Sequence, residues 1–177
     1  MTGKNFSPFP ALETERLTLR QLLSSDDQEV FALRSNENVN KYIDRKPCNS
    51  IDDARSFIQT ITENIQRNDS IYWAITLNGI DQLIGTICLF NFSSDNLKAE
   101  IGYELLPEFQ GKGFIQEAAS KVIDFGIQQV GLHSIEAYTH FENQRSIRLL
   151  EILSFKRQSA TENNLAIFKL EAKGLKE

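Results

Sequence analysis

A strand, a glycine-rich turn and a helix follow one another directly in residues 101–118, and this segment constrains the fold more than any other. Residues 101–105 read Ile-Gly-Tyr-Glu-Leu, a β-rich run that is broken by Pro107. Gly111 and Gly113 then lead into an apolar pattern from Phe114 to Val130, with the spacing of a helix packed on a sheet. The segment predicts a layered α/β fold in which a glycine loop opens a helix.

The other hydrophobic patterns predict a mixed α/β sheet with helices on both faces. Residues 17–22 alternate with period two, and Asn78-Gly79 between two β-rich runs predicts an antiparallel hairpin. Ser50 and Asp53 predict the start of an amphipathic helix. About six to seven strands are expected, and these are residues 17–22, 71–77, 83–92, 99–105, 134–140, 155–161 and 165–170.

Length and charge limit the organisation of the chain and its partners. A chain of 177 residues without a Pro-, Gly- or Ser-rich divider predicts one domain over residues 11–172, an N-terminal extension over 1–10 and a C-terminal tail over 173–177. The net charge of −5 argues against nucleic acid and anionic membranes as partners. The first ten residues contain no apolar run, and no later segment reaches membrane-spanning length, so we expect a cytoplasmic protein.

The cysteines and histidines show no spacing typical of a metal or redox site. Cys48 and Cys88 lie far apart, and neither His133 nor His140 has a partner at ligand spacing. We therefore expect two reduced thiols and no metal.

The glycine loop has the features of an anion site. Two glycines let backbone N–H groups converge, the helix start adds unpaired donors, and Lys112 adds positive charge. Gln116 stands where a dinucleotide fingerprint needs its third glycine, and no Walker pattern precedes Lys112. From spacing alone, a phosphate-binding loop and an ordinary strand-to-helix connection with two glycines both remain open.

The segment 101–118 resembles the acetyl-coenzyme A loop of the Gcn5-related N-acetyltransferase (GNAT) superfamily. The family pattern Gln/Arg-x-x-Gly-x-Gly/Ala is met by Gln110 and Gly113, whereas Ile115 departs from it. The segments 15–20, 83–87, 117–118 and 142–151 are similar to the subgroup that acetylates the amino termini of ribosomal proteins. The resemblance covers roughly residues 11–172 and implies a mostly antiparallel sheet splayed between its fourth and fifth strands.

The resemblance also implies where the donor, acetyl-coenzyme A, would bind. Its pyrophosphate would lie on the loop from Gln110 to Phe114, and its pantetheine arm along the backbone of residues 103–106. The Asn143 side chain would contact the pantetheine end or a water near the thioester, although Asn143 is equally an ordinary helix cap. The implied donor-binding residues are Tyr103, Leu105, Leu106, Gln110, Gly111, Lys112, Gly113, Phe114 and Asn143.

Acetyl transfer needs a neutral amine, donors for the oxyanion and a proton for the departing thiolate. A backbone N–H of Leu105 or Leu106 is the candidate oxyanion donor. Glu100 and Glu104 lie on one face of the fourth strand, where either can relay a proton or simply be solvated. Ser146 lies close to Asn143, and these four side chains, Glu100, Glu104, Asn143 and Ser146, are the candidate catalytic residues.

Several positions leave open alternatives. Leu150 replaces the Tyr that serves many relatives as the general acid, and Ser154 replaces a Gly. Tyr103 points away from the two carboxylates and is interpreted as packing. The aromatic residues Phe31, Tyr42, Tyr72 and Trp73 either line an acceptor groove or belong to the core.

The leading hypothesis is acetyl transfer to a primary amine, with a protein N-terminus, ribosomal or otherwise, as the acceptor implied by the resemblance. The alternatives are a small-molecule acetyltransferase acting on a polyamine, an amino sugar or an antibiotic, a non-catalytic acetyl-coenzyme A sensor, and an interaction domain without a ligand. Family members occur as monomers and homodimers, and the sequence does not choose between them.

Overall fold

A computed structural model describes residues 4–173 of the chain. Residues 1–3 of the expected N-terminal extension and 174–177 of the expected tail lie outside the described range. The strands are β1 Leu12–Glu13, β2 Leu17–Arg20, β3 Ile71–Leu77, β4 Leu83–Phe90, β5 Lys98–Leu105, β6 Ser134–His140, β7 Lys156–Glu162 and β8 Leu165–Glu171. The α-helices are α1 Asp27–Ser35, α2 Glu37–Asn40, α3 Ile51–Gln66, α4 Phe114–Phe125 and α5 Gln144–Ile152.

The eight strands form one sheet in the order β1-β2-β3-β4-β5-β6-β8-β7. Every neighbouring pair is antiparallel except β5 and β6, which run parallel. The mixed, mostly antiparallel sheet with helices on both faces is therefore confirmed. The count exceeds the expected six to seven strands because Leu12–Glu13 is a two-residue strand, too short to show an alternating pattern.

Hydrophobic cores lie on both faces of the sheet because β3, β4 and β5 bury side chains on both. On one face Trp73 and Ile87 pack against α4 through Val122. On the other face Ala74 and Leu83 pack against Leu33 of α1 and against α3. Among residues 4–173, no helix is long and apolar enough to cross a membrane.

Local sequence signals explain where the helices begin and end. Ser50 Oγ accepts a hydrogen bond from the Asp53 N–H at 3.2 Å, which confirms the predicted cap of α3. The predicted helix over 114–130 changes character within its length, because α4 ends at Phe125 and continues as a π-helical turn over Gly126–Val130. In the segment before β1, Phe6 is buried in the core and Phe9 packs against it. The Phe6 N–H donates to Asn68 Oδ1 at 2.8 Å.

Candidate active site

A cleft of about 1140 Å³ opens where β5 and β6 diverge. The two strands pair only from Lys98–Ser134 to Glu100–Glu136, three residue pairs in all. Beyond Glu100 the strands separate, and the gap is bordered by the glycine loop and α5. The splay implied between the fourth and fifth predicted strands is confirmed, and it lies between β5 and β6.

The glycine loop leads directly into α4. Gly111 and Gly113 have φ values of +75° and +80°, a region that glycine enters without the strain of a Cβ atom. Gly113 immediately precedes Phe114, the first residue of α4. The first-turn N–H groups of α4 therefore face the loop, as a binding site for an anionic group requires.

One carboxylate ties this loop to the start of β2. Glu117 of α4 accepts hydrogen bonds from the Thr14 hydroxyl at 2.6 Å, the Arg16 backbone N–H at 2.8 Å and Arg16 Nε at 2.7 Å. Arg16 Nη1 in turn donates to the Lys112 carbonyl at 3.0 Å. Burial raises the pKa of the Glu117 carboxyl, but the bonds from Thr14 and Arg16 outweigh it and the net shift is downward. Two segments that carry the family resemblance, 15–20 and 117–118, thus meet in this contact.

Gln110 joins the loop to β5 and α5. Its Nε2 donates to the Leu105 carbonyl at 2.9 Å, and its Oε1 accepts a hydrogen bond from Arg145 Nη1. Arg145 therefore stands beside the loop as a further cation near the anion site. Sequence reasoning missed Arg145, because no spacing rule distinguishes it from other exposed arginines on a helix.

The two edges of β5 have different roles. The Leu106 N–H donates to the Ile84 carbonyl at 2.9 Å, which assigns even-numbered residues of this segment to the ladder with β4. By the alternation of that ladder, the peptide groups of Tyr103 and Leu105 point toward β6 and the splay. These are the only peptide groups of residues 103–106 so directed, because Leu106 is already bonded to β4.

The side chains of β5 also alternate between two surfaces. Glu100 lies opposite Phe90 and Glu104 opposite Thr86, so both carboxylates share a face, as predicted. The Tyr103 side chain lies on the other face, where its hydroxyl is 2.8 Å from Ser146 Oγ on α5. Burial raises the pKa of Tyr103, and the bond with Ser146 offsets this only in part. Tyr103 packs against the core, as expected, and its phenol also lies in the cleft beside a second hydroxyl.

Glu104 is held in a buried ion pair. Only 8% of its side chain is exposed, and Arg45 Nη1 lies 2.5 Å from its Oε2. Arg34 Nη1 lies 3.7 Å from Oε1, and the Thr86 hydroxyl donates to the same oxygen at 3.4 Å. Glu100, in contrast, accepts a hydrogen bond from Asn91 Nδ2 at 3.1 Å. The two candidate bases thus differ strongly in their surroundings.

Asn143 and Ser146 lie at the start of α5 and both line the cleft. Asn143 Oδ1 accepts from the Ser146 N–H at 3.2 Å, so the capping role is present. Leu150, one turn after Ser146, is buried in the core. Ser154 follows α5 with a φ of +69°, in the left-handed region that favours glycine, the residue that the family resemblance implies at this position.

The aromatic candidates divide between the cleft and the core. Tyr42 and Tyr72 line the cleft, and the Tyr42 ring stacks on His140 with centroids 5.5 Å apart. Trp73 is fully buried and donates from Nε1 to the Pro10 carbonyl at 2.8 Å. Phe31, on α1, packs against the core on the face of the sheet that α1 and α3 cover.

One end of the cleft, which we call the helical arm, lies between the β3–β5 face and the segment of α1, α2 and the loop after α2. Its lining includes Arg34, Tyr42, Arg45, Tyr72, Cys88 and Glu104. Arg34 and Arg45 were not singled out from the sequence, because they become neighbours only when residues from two separate segments meet over β5. The other end of the cleft is bordered by the glycine loop and Arg145.

A splayed mixed sheet, a glycine loop at a helix start and a cleft running between them define the class of coenzyme A-dependent acyltransferases. Residues 16–156 match the family described as acetyltransferase (GNAT) domain. The chain belongs to this family, which confirms the resemblance, and it is an acetyl-coenzyme A-dependent N-acetyltransferase.

Named relatives and solved structures agree with this assignment. The uncharacterized N-acetyltransferase YoaA of Bacillus subtilis is 39% identical over 150 residues, which is 85% of each chain. Spermidine N(1)-acetyltransferase of Vibrio cholerae is 27% identical over 141 residues, 79% of each chain. The crystal structure of ribosomal-protein-S5-alanine acetyltransferase from Vibrio fischeri has a TM-score of 0.81 at 21% identity, covering 95% of this chain and all (100%) of that one. This last likeness concerns the fold.

Proposed function

We propose that the protein transfers the acetyl group of acetyl-coenzyme A directly to the α-amino group of a protein N-terminus. The observation that carries this choice of acceptor is the helical arm, where Arg34 and Arg45 share the single carboxylate of Glu104. A polyamine is cationic along its whole length and would be repelled by the uncompensated guanidinium. An N-terminal α-amino group has an unperturbed pKa of about 7.7–8.0 and is partly neutral near pH 7.

In this proposal the donor lies along the splay. The pyrophosphate contacts the backbone of Gly111, Lys112, Gly113 and Phe114 at the start of α4, where the helix dipole favours an anion. The pantetheine arm follows the peptide groups of Tyr103 and Leu105, which point into the gap. Asn143 and Ser146 border its thioester end. Gln110 orients the loop through its bond to the Leu105 carbonyl.

The transfer then requires three proton and charge movements. The amine nitrogen attacks the thioester carbonyl, whose oxygen becomes an oxyanion near the Leu105 N–H, since the Leu106 N–H is already bonded to Ile84. Collapse breaks the C–S bond, forms the amide and releases the coenzyme A thiolate. The amine proton leaves through water toward Glu100, because Glu104 is engaged by Arg45.

The proton for the thiolate comes from the Tyr103–Ser146 pair in this proposal. The two hydroxyls are 2.8 Å apart on the face of β5 that α5 covers. They take the place of the acid that relatives carry at the position of Leu150, and Ser146 is one turn from that position on the same face of α5.

The test is thiol release from acetyl-coenzyme A with a panel of peptide N-termini, spermidine and amino sugars. We expect release that depends on the peptide amine, with the acetyl group located on the α-nitrogen by mass spectrometry of the product. Release with spermidine alone would favour polyamine acetylation, the second candidate, for which Glu100 and Glu136 on neighbouring strands provide two carboxylates. Donor binding measured by calorimetry without any amine-dependent release would point to a sensor instead.

A further inference from the structure

The helical arm contains two guanidinium groups and one carboxylate. Arg45 Nη1 lies 2.5 Å from Glu104 Oε2, and Arg34 Nη1 lies 3.7 Å from Oε1. Among the side chains that the structure describes, no other acidic group lies within 4.0 Å of either guanidinium. One positive charge is therefore left without a counter-charge in a region where Arg34 and Arg45 expose only 17% and 15% of their side chains.

Hydrogen-bond donors are also left over at this place. The distance of 3.7 Å from Arg34 to Glu104 is too long for a hydrogen bond, and Arg34 donates no side-chain hydrogen bond to any residue that the structure describes. Arg45 Nη2 is buried and has no hydrogen-bond partner among the same residues. Glu104 Oε2 also makes no hydrogen bond, but it lies 2.5 Å from Arg45 Nη1 in the ion pair. Buried charged donors are costly unless they are paired, so the arm is suited to an anionic group from outside the chain.

The Arg34 guanidinium is held in place for such a group. Its central carbon lies 3.8 Å from the centroid of the Phe57 ring, a close cation–π contact with α3. A stacked guanidinium keeps its edge free, and that edge presents N–H groups in the fork geometry that matches a carboxylate. Because Arg34 lines the cleft, the edge is within reach of a bound molecule.

We propose that Arg34, supported by Arg45, binds a carboxylate of the amine acceptor. This inference rests on the proposed function and specifies its substrate class: an amine that also carries a carboxylate. The carboxylate is either that of a free α-amino acid or an acidic side chain close to a protein N-terminus. Glu100 lies on the same face of β5, four residues or about 13 Å from Glu104. An extended N-terminal segment could therefore place its amine toward Glu100 and an acidic side chain at Arg34, a span that a free α-amino acid does not cover.

The experiment uses pairs of acceptors that differ only in this carboxylate. One set contains tripeptides with Asp or Asn at the second or third position, and the other contains α-amino acids and their carboxamides. We expect the carboxylate member to have a kcat/KM higher by roughly 10- to 100-fold, the size of a charge-assisted bidentate contact. Which set shows the preference distinguishes a peptide acceptor from a free amino acid.

Variants of Arg34 connect the preference to the site. Arg34→Gln is expected to lower kcat/KM for the carboxylate members more than for the neutral members and so to remove the preference. Arg34→Lys is expected to retain part of it. Arg67→Gln is the matched control, because Arg67 pairs with Asp69 beyond the end of α3, outside the cleft lining. Unfolding midpoints identify any variant that fails to fold. The comparison of paired acceptors with the wild-type protein tests the inference even if a variant does not fold.

Equal kcat/KM for both members of every pair would overturn the inference while leaving acetylation of N-termini intact. A loss in Arg34→Gln that is the same for acidic and neutral members would overturn it as well. If none of these acceptors is acetylated, or if spermidine alone is acetylated in the test of the proposed function, both the inference and the proposed acceptor are overturned.

Discussion

Tyr103 combines core packing with a hydroxyl contact in the cleft. From the sequence, its alternation against Glu100 and Glu104 was correct, and the opposite face of the strand was the expected place for core packing. The hydroxyl of Ser146, 43 positions later in the chain, lies 2.8 Å from the phenol. Spacing rules apply within one strand or helix and do not predict contacts between β5 and the helix that follows β6. The Tyr103–Ser146 pair could therefore not be predicted from the sequence.

We predict that Tyr103→Phe lowers kcat by roughly 100-fold, the usual contribution of a positioned general acid. The donor Kd should stay unchanged, because the variant keeps the ring and the backbone that would face the donor in the proposed arrangement. Since burial raises the pKa of Tyr103 above its usual 10.0, the wild-type kcat should show no alkaline loss below about pH 10. Steady-state kinetics against pH and calorimetry with coenzyme A measure both quantities.

Ser146→Ala serves as the companion variant. Because Ser146 bonds only through its side chain to Tyr103 and its N–H cap is a backbone group, this change leaves the capping bond from Asn143 intact. A rise in donor Kd with an unchanged kcat in both variants would show that the hydroxyl pair only shapes the cleft.

Cys88 lies in the lining of the cleft, but we expect its thiol to react slowly with alkylating reagents. Burial is the main cause that raises the pKa of the Cys88 thiol from 9.0 to about 12. Only the thiolate reacts with alkylating reagents, so at pH 8 the reactive fraction falls by roughly a thousandfold relative to an unperturbed thiol. We expect Cys88 in a Cys48→Ser variant to resist iodoacetamide until urea unfolds the protein. Rapid labelling of the folded variant would contradict the buried, protonated thiol.

At the scale of elements, the close approach of β4 and β5 depends on Gly85. A Cβ at this position would lie 2.3 Å from the Glu104 carbonyl oxygen, a backbone atom that cannot rotate away. Gly85 is part of a segment, 83–87, that resembles the family, yet the sequence did not indicate why a glycine is needed inside a strand. The reason is steric and depends on the register with Leu105, which becomes known only with the sheet.

We predict that Gly85→Ala destabilises the protein by about 3 kcal/mol, at the upper end of the range for overpacking. It should also lower activity, because relief of the clash moves β5 at the point where Glu104 and the Leu105 peptide face the cleft. Gly79→Ala is the matched control: its Cβ would have nothing within 4 Å, but its φ is +78°. Gly79→Ala should lower the free energy of unfolding by about 1 kcal/mol through backbone strain alone. Urea unfolding of the three proteins measures the difference, and equal losses would contradict the steric explanation.

The elements themselves were largely predictable, whereas their partners were not. The periodicities at 71–77, 83–92, 134–140 and 165–170 predicted strands that the structure has with small changes in their bounds. The alternation of apolar and polar residues shows which side of a strand is buried, but it does not show which strand lies next to it in the sheet. For this reason Arg34 and Arg45, on a helix and a loop, could not be linked to Glu104 from the sequence.

At the scale of the whole molecule, the sheet consists of two parts joined by a short parallel contact. The part from β1 to β5 meets the part from β6 to β8 through three residue pairs at Lys98, Ala99 and Glu100. Side-chain bonds across the gap are added by Tyr103–Ser146 and Gln110–Arg145. A donor that lies in the splay would therefore contact both parts at once.

We predict that coenzyme A at 100 times its Kd stabilises the protein by about 2.7 kcal/mol and raises the unfolding midpoint by roughly 5–10 °C. Hydrogen exchange should slow most in residues 137–152, which lie on the far side of the splay, and little in the β3–β4 hairpin. Thermal unfolding and hydrogen-exchange mass spectrometry provide the two measurements. If hydrogen exchange slows equally in the hairpin, the donor stabilises the whole fold and does not act mainly by contacting both sides of the splay.

The alternation along β5 has a consequence for how such proteins diversify. Toward β6 the strand offers peptide groups, which are the same whatever side chain a residue carries. Toward the helical arm it offers the side chains of Glu100 and Glu104, which any single mutation replaces. If the donor and the acceptor use these two edges as proposed, point substitutions can change the acceptor while donor binding is kept, and duplicated genes would diverge first in the amine that their products modify.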